Sequence, residues 1–197
     1  MPRTPEQYEQ IREERRKAIM ATALDLFANQ GYNMTTISHI AEKAGISKGL
    51  LYNYFTSKED LLKAIMTGLT EQFVDMFDPN HDDEISDEEA LGFFDLYFDM
   101  LRKRLEEFKL YYQLSMQPKV LEYLKTKYGN SQVISHQKKL LFDFFSRKPG
   151  CDPMLNVVYI SSILKGFTMQ YVFSPEFFTD DIIENFKEHL KNTFIRK

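Results

Sequence analysis

Between Lys48 and Phe55 the chain reads KGLLYNYF, and four of these side chains end in hydrogen-bonding heads: the Lys48 amine, the Tyr52 and Tyr54 phenols and the Asn53 amide. On a helix, Leu51 and Phe55 share one face, so burying that pair leaves the polar heads pointing elsewhere. Donors and acceptors on a rod of helical width suit the edges of base pairs in a major groove, where each pair shows its own pattern. Gly49 brings no side chain and permits close approach. Thr36 and Ser38 open a short apolar pattern just upstream, where hydroxyls and free N–H groups can hold a phosphate. Lys58, at the start of the next pattern, offers a second phosphate anchor.

Such groups work only if two short helices hold them in place. Thr36 is an N-cap before Ile37, Ile40, Ala41 and Ala44, and Gly45 stands where a left-handed C-terminal cap belongs. Ser47 caps the second run. Two short helices joined by a turn containing glycine make a helix-turn-helix. A longer amphipathic helix is expected from about Ile11 to Asn29, with Ile19, Ala23, Leu24 and Phe27 on one stripe and Gly31 as its stop. Phe27, Ile37, Ile40, Leu51 and Phe55 would then form a small core. Thr56 with Glu59 reads as a capping box for a helix running to about Phe77, through Leu61, Leu62, Ile65, Leu69 and Phe73. At roughly 1.5 Å per residue that helix spans close to 30 Å, long enough to join a reading head to a body. A plain helical hairpin that binds nothing would share these caps and core residues. It gives no packing reason for Lys-Gly followed by Tyr-x-Tyr beside Lys58.

The segment from about Ala18 to Ala64 resembles the DNA-binding domain of TetR-family transcriptional regulators. It has an amphipathic first helix ending near Phe27 and Gly31, then T-x-x-x-I-A-x-x-A-G-I-S-K-G-L-L-Y-x-Y-F-x-S-K-E-x-L. The resemblance implies an all-α homodimer: a three-helix DNA-binding domain at residues 1–58, joined by a long helix to a helical domain at residues 59–197 that dimerises and binds a small-molecule effector. It implies a double-stranded, palindromic operator, and repression as the usual outcome. It says little about the detail of residues 65–197. The competing reading is a helical scaffold that binds protein or organises DNA without an effector.

Composition agrees with a selective contact. The 197 residues carry a net charge of −4, against indiscriminate coating of nucleic acid. Residues 1–63 hold 9 Lys and Arg against 8 Asp and Glu, while the rest hold 16 against 21, so phosphate repels the body and only the head is presented. Arg3, Arg12, Arg15, Arg16 and Lys17 make the start the most basic region, offset by Glu6, Glu9, Glu13 and Glu14. That arm suits either a phosphate or minor-groove contact, or a solvated turn laced with ion pairs; residues 1–8, with two prolines, are expected to fray. The single cysteine, Cys151, allows no internal disulfide and fits a reducing cytoplasm. Neither a signal peptide nor a membrane-spanning run is visible.

The remaining sequence reads as helices. Residues 78–89, DPNHDDEISDEE, partly match a calcium-binding loop, but Asp83 stands where glycine is required and Ser86 with Glu89 reads equally as a capping box. Ser86 opens an aromatic-rich helix to about Phe108, followed by a piece carrying Tyr111, Tyr112 and Leu114. Pro118 suits the start of a short helix ended by Gly129 and Asn130. Ser131 starts another, with Val133 and Ile134, and KPGCDP is a loop.

Of 28 Phe and Tyr, 22 lie beyond residue 63. Phe94, Tyr97, Tyr112, Phe167 and Tyr171 are a candidate lining for an apolar or aromatic effector, although the same spacing also suits a solid core. In the last two helices, Val157, Ile160 and Leu164, with Ile183, Phe186 and Leu190, form seams suited to a four-helix interface between two copies. Tyr159 and Ile163 add a second apolar face to the first of them. His39, His81, His136 and His189 lack metal-ligand spacing, and no nucleophile constellation or phosphate loop appears, so the sequence supports neither an enzyme nor a cofactor.

Overall fold

The computed structural model describes residues 4–127, 131–150 and 152–196, without the side chain of Val133. The expectations placed on Arg3, Gly129, Asn130 and Cys151 lie outside these residues. Ten α-helices and one short 3-10 helix account for the described chain, with no strand among them: α1 (Pro5–Gln30), α2 (Ile37–Lys43), α3 (Lys48–Tyr52), α4 (Lys58–Phe77), α5 (Asp87–Lys103), α6 (Leu105–Ser115), α7 (Pro118–Thr126), α8 (Gln132–Ser146), α9 (Pro153–Phe173), the 3-10 turn Pro175–Phe177 and α10 (Asp180–Phe194). No helix among the described residues is long and apolar enough to cross a membrane.

Two compact units emerge, residues 1–68 with 110–128, and residues 69–109 with 129–197. The first is larger than the 1–58 segment expected to read DNA, because the first half of α4, the end of α6 and α7 pack into it. Ile19, Ala23, Leu24 and Phe27 of α1, Ile40 of α2, Leu51, Phe55, and Leu61, Leu62 and Ile65 of α4 are all buried there. At about 25 cal/mol per Å2 of apolar surface removed from water, side chains of this size contribute roughly 1.5–3 kcal/mol each. Leu114 and Val120 are buried too, and the Tyr111 hydroxyl donates to the Ile65 carbonyl at 3.0 Å. Thr35 is fully buried, its hydroxyl donating to the carbonyls of Leu26 and Gly31 at 3.3 and 3.0 Å.

Several boundaries differ from expectation, each for a local reason. α1 begins at Pro5, six residues earlier than expected, because Thr4 and Gln7 form a reciprocal capping box with proline at the first turn; residues 5–8, expected to fray, are helical. α4 is capped one residue later than expected. The Asp60 amide donates to the Ser57 hydroxyl at 3.0 Å, and the Asp60 carboxylate reaches back to the Thr56 amide at 2.9 Å, in place of a Thr56–Glu59 box.

In the second unit the helix expected from Ser86 to Phe108 breaks at Arg104, with φ −123° and ψ 32°. No glycine or proline marks the break. The Arg104 guanidinium grips Glu107 through two donors, one at 2.7 Å, and also binds Gln72, so side-chain ties hold a residue that local propensity leaves helical. The core is an aromatic ladder. Phe77 stacks on Phe93 at 3.6 Å between centroids, Tyr97 meets Phe98 edge-on at 5.2 Å, and Phe98 meets Phe167 at 5.0 Å.

Candidate nucleic-acid interface

The chain between Thr36 and Phe55 folds as its caps require. The Thr36 hydroxyl accepts the His39 amide at 3.1 Å. Past Ala44, Gly45 takes φ 65°, a left-handed conformation costly for a residue with a Cβ. There the Ile46 amide donates to the Ala41 carbonyl at 3.0 Å and the Gly45 amide to Glu42 at 3.1 Å, the paired bonds of a Schellman cap. The Ser47 hydroxyl then accepts the Leu50 amide at 3.1 Å and starts α3.

α3 buries Leu51 completely, and Phe55 is 2% exposed. Lys48, Gly49 and Asn53 are exposed, and Tyr52 keeps 45% of its surface. The Lys48 ammonium lies 6.0 Å from the Tyr52 ring centroid, so amine and phenol form one exposed pair. The helix does not continue to Phe55. The amides of Tyr54 and Phe55 both turn onto the Leu51 carbonyl, at 2.9 and 3.1 Å, and Tyr54 leaves the helix half-buried. Gly49 needs no special backbone conformation, and a Cβ placed there meets only the Ser47 hydroxyl at 4.0 Å, so the fold does not require glycine at this position.

Lys58 departs most from its expected place. Its ammonium donates to the carbonyls of Tyr32 at 2.8 Å and Thr35 at 3.0 Å, and sits 4.5 Å from the Tyr32 ring centroid. It staples the α1–α2 loop instead of standing free for a phosphate. Burial, with help from Lys119, lowers its pKa, and burial with Glu59 raises that of the Tyr32 phenol. Thr36 and Ser38 remain exposed. Gln117, which no motif or spacing singles out, donates to the Phe27 carbonyl and accepts from the Tyr32 amide, both at 2.6 Å.

The candidate effector residues are divided between the two compact units. Phe94, Tyr97 and Phe167 are buried in the ladder, and the Tyr97 hydroxyl bonds the Leu164 carbonyl at 3.2 Å and the Thr168 hydroxyl. Tyr171 is half-buried against Phe167, whereas Tyr112 belongs to the other compact unit. Phe94 borders an apolar void of only about 10 Å3. A wider hollow of about 380 Å3 is polar, lined by Asn80, Asp82 and Glu84 with Arg147 and Lys148.

The candidate interface seam also needs correction. Val157, Ile160, Leu164, Ile183 and Leu190 are buried within the chain itself, and Phe186 stacks on Phe167 at 4.6 Å. The stripe that includes Phe167 packs inward, since it meets Phe98 and Phe186. The opposite stripe of α9 stays outside: Leu155, Val158, Tyr159, Ile163, Met169 and Phe173 are all exposed. In the acidic loop, Asp83 does adopt a left-handed φ of 64°, but Asp78 accepts the amides of Asp82 and Asp83, both at 3.1 Å, and Glu89 is taken up in the Ser86 capping box. Among the described residues no three potential ligands gather for a metal.

Comparison with known proteins agrees with the head. The model of bacterial regulatory proteins of the tetR family matches residues 19–65. The biofilm operon icaADBC HTH-type negative transcriptional regulator IcaR of Staphylococcus epidermidis is 30% identical over 123 residues, which is 62% of this chain and 60% of the relative. The HTH-type transcriptional regulator RutR of Escherichia coli is 46% identical over 52 residues, 26% of this chain and 24% of the relative. The chain thus spans less than two thirds of these relatives' length. Among solved structures, the fatty acid degradation regulator FadR from Bacillus halodurans aligns over 99% of this chain and 97% of its own, with TM-score 0.69 and 19% identity. NalD, the secondary repressor of the MexAB-OprM multidrug efflux pump in Pseudomonas aeruginosa, covers 95% and 96% with TM-score 0.63 and 19% identity. At that identity the likeness is one of fold.

Proposed function

We propose that this chain, whose residues 19–65 match the model of bacterial regulatory proteins of the tetR family, is a member of that family and a cytoplasmic, sequence-specific DNA-binding repressor released from its operator by a small-molecule effector. The observation that carries this reading is α3 with the turn that follows it, which together hide Leu51 and Phe55 and present Lys48, Tyr52 and Asn53. These three read base edges, Gly49 lets the backbone approach, Tyr54 supports them from the edge, and Thr36 and Ser38 fix phosphates. Lys58 acts indirectly, by holding the loop that positions α2.

Two copies joined through the exposed stripe of α9 and the neighbouring α10 would set two reading heads roughly 34–36 Å apart on a palindrome. One relative is named a fatty acid metabolism regulator protein in Bacillus subtilis, which makes fatty acids one effector class to try. Phe94, Tyr97 and Phe167 are packed in the aromatic ladder, so an effector in contact with them would bind a second arrangement in which the ladder parts, and DNA would weaken it by the same factor that it weakens DNA. That packed ladder is also the observation favouring the second reading, a DNA-organising scaffold without an effector.

Selection of duplexes from a random pool by the purified protein tests both readings. A palindrome with half-sites one helical turn apart supports the regulator, and enrichment without sequence preference contradicts it. Elution of the selected duplex by a fatty acid or aromatic compound separates a sensor from a scaffold.

A further inference from the structure

Residues 5–18 form nearly four turns of α1 in which no side chain is buried; burial begins at Ile19. At roughly 1.5 Å per residue this is an arm of about 21 Å that contributes nothing to the core. It is nevertheless built to be helical, through the Thr4–Gln7 capping box and Pro5.

Its charges are sorted by face. Counting back from Ile19, the core-facing stripe continues through Arg15, Arg12 and Tyr8 at spacings of four, three and four, flanked by Arg16 and Ile11. Glu6, Glu13 and Glu14 lie on the opposite side with Lys17, and Glu9 lies at its border, so the arm's small net charge hides a basic, aromatic face. Among the described residues Arg12 and Arg15 pair with no carboxylate, whereas Arg16 meets Glu13 at 3.5 Å. Tyr8 is 58% exposed and Ile11 38%, apolar bodies with no core to enter.

The arm leaves the domain beside the reading helix. The Arg16 guanidinium carbon is 5.5 Å from the ring centroid of Phe55, the residue that closes the turn after α3. An unpaired basic stripe continuous with that end of the domain complements a phosphate backbone.

We propose that the first turns of α1 are a second DNA-contacting element, a helical arm whose Tyr8–Arg12–Arg15 face lies on phosphates outside the groove read by α3. This rests on the DNA-binding reading above. The arm positions the protein without choosing sequence, because phosphates carry no base code.

The test compares full-length protein with R12Q/R15Q and, as control, E6Q/E14Q on the opposite side, measuring affinity for the selected duplex and for random duplex as a function of salt. Glutamine keeps the helix, and circular dichroism checks it. In R12Q/R15Q the slope of log affinity against log salt should fall by about 3.6 for the dimer, whose two arms each lose two phosphate contacts at roughly 0.9 per contact, with equal fold-losses on both duplexes. E6Q/E14Q should keep the slope or raise it slightly. An unchanged slope in R12Q/R15Q, with binding intact, overturns the arm alone. Failure of the unaltered protein to bind any duplex overturns the underlying reading and the arm with it.

Discussion

Gln117, in the turn between α6 and α7, closes the end of α1 with both faces of its amide: its N–H2 donates to the Phe27 carbonyl and its oxygen accepts the Tyr32 amide, each at 2.6 Å. Two half-buried backbone groups at the root of the helix-turn-helix depend on one side chain about ninety residues away in sequence. Gln117→Ala would leave both unpaired, at about 1–3 kcal/mol. Gln117→Glu keeps the acceptor but sets a carboxylate against the Phe27 carbonyl, and should cost at least as much. Denaturant titration of the three proteins checks this, and wild-type stability in both variants would contradict it.

Gly49 separates folding from recognition. A methyl group at this position has room, and alanine favours a helix over glycine by about 0.5–1 kcal/mol. Gly49→Ala should hold or raise the melting temperature while weakening duplex binding about tenfold or more. Tighter or equal binding would show that no close approach occurs there.

The most exposed face of the body gives a third expectation. Ile163→Glu lies on the outward stripe of α9, 37% exposed, and should convert a dimer to a monomer in sedimentation without loss of helix content. Leu164→Ala, one residue away but 8% exposed, should cost about 2–5 kcal/mol of stability and leave association in place. A dimer that survives Tyr159→Glu with Ile163→Glu would place the interface elsewhere.

Asp95 ties α5 to α10 through Lys187 and Lys191, each at 3.0 Å. Burial pushes its carboxyl pKa up, but the two lysines outweigh that and hold it below the ordinary value. A depressed carboxylate contributes stability above its unfolded pKa, and that contribution is lost as pH falls through the folded one. The Asp95 contribution should therefore be full at pH 6–7 and fade below about pH 4. Lys187 is raised: burial lowers its pKa, and Glu184 and Asp95 more than compensate, so its contribution fades only on the alkaline side. Because Asp95 is half-exposed, Asp95→Asn should cost only about 1 kcal/mol at neutral pH and less at pH 3. Urea melts across pH test this, and an equal loss at both pH values would contradict it.

The head was legible in the sequence because its signals are local. Thr36, Gly45 and Ser47 act within one turn, and burial of Leu51 and Phe55 follows from spacing alone. The body was not legible to the same depth. Both stripes of α9 are apolar, and only the partners Phe98 and Phe186 decide that the Phe167 stripe turns inward while Tyr159 and Ile163 stay out. Arg104 breaks a helix without a breaker residue, because its grip on Glu107 and Gln72 is tertiary. Lys58 illustrates the same limit within the head: a lysine at a helix start suits a phosphate, but the carbonyls of Tyr32 and Thr35 reach it first.

The central claim is that the exposed pair on α3 reads DNA, and the direct measurement is the affinity of Lys48→Ala/Tyr52→Ala for the selected duplex. Both side chains lie outside the core, so melting temperature should stay within a degree or two. Two base-edge contacts at about 1–3 kcal/mol each imply at least a 30-fold loss of affinity, with discrimination against random duplex reduced as well. Undiminished affinity and selectivity in this folded variant would contradict the account.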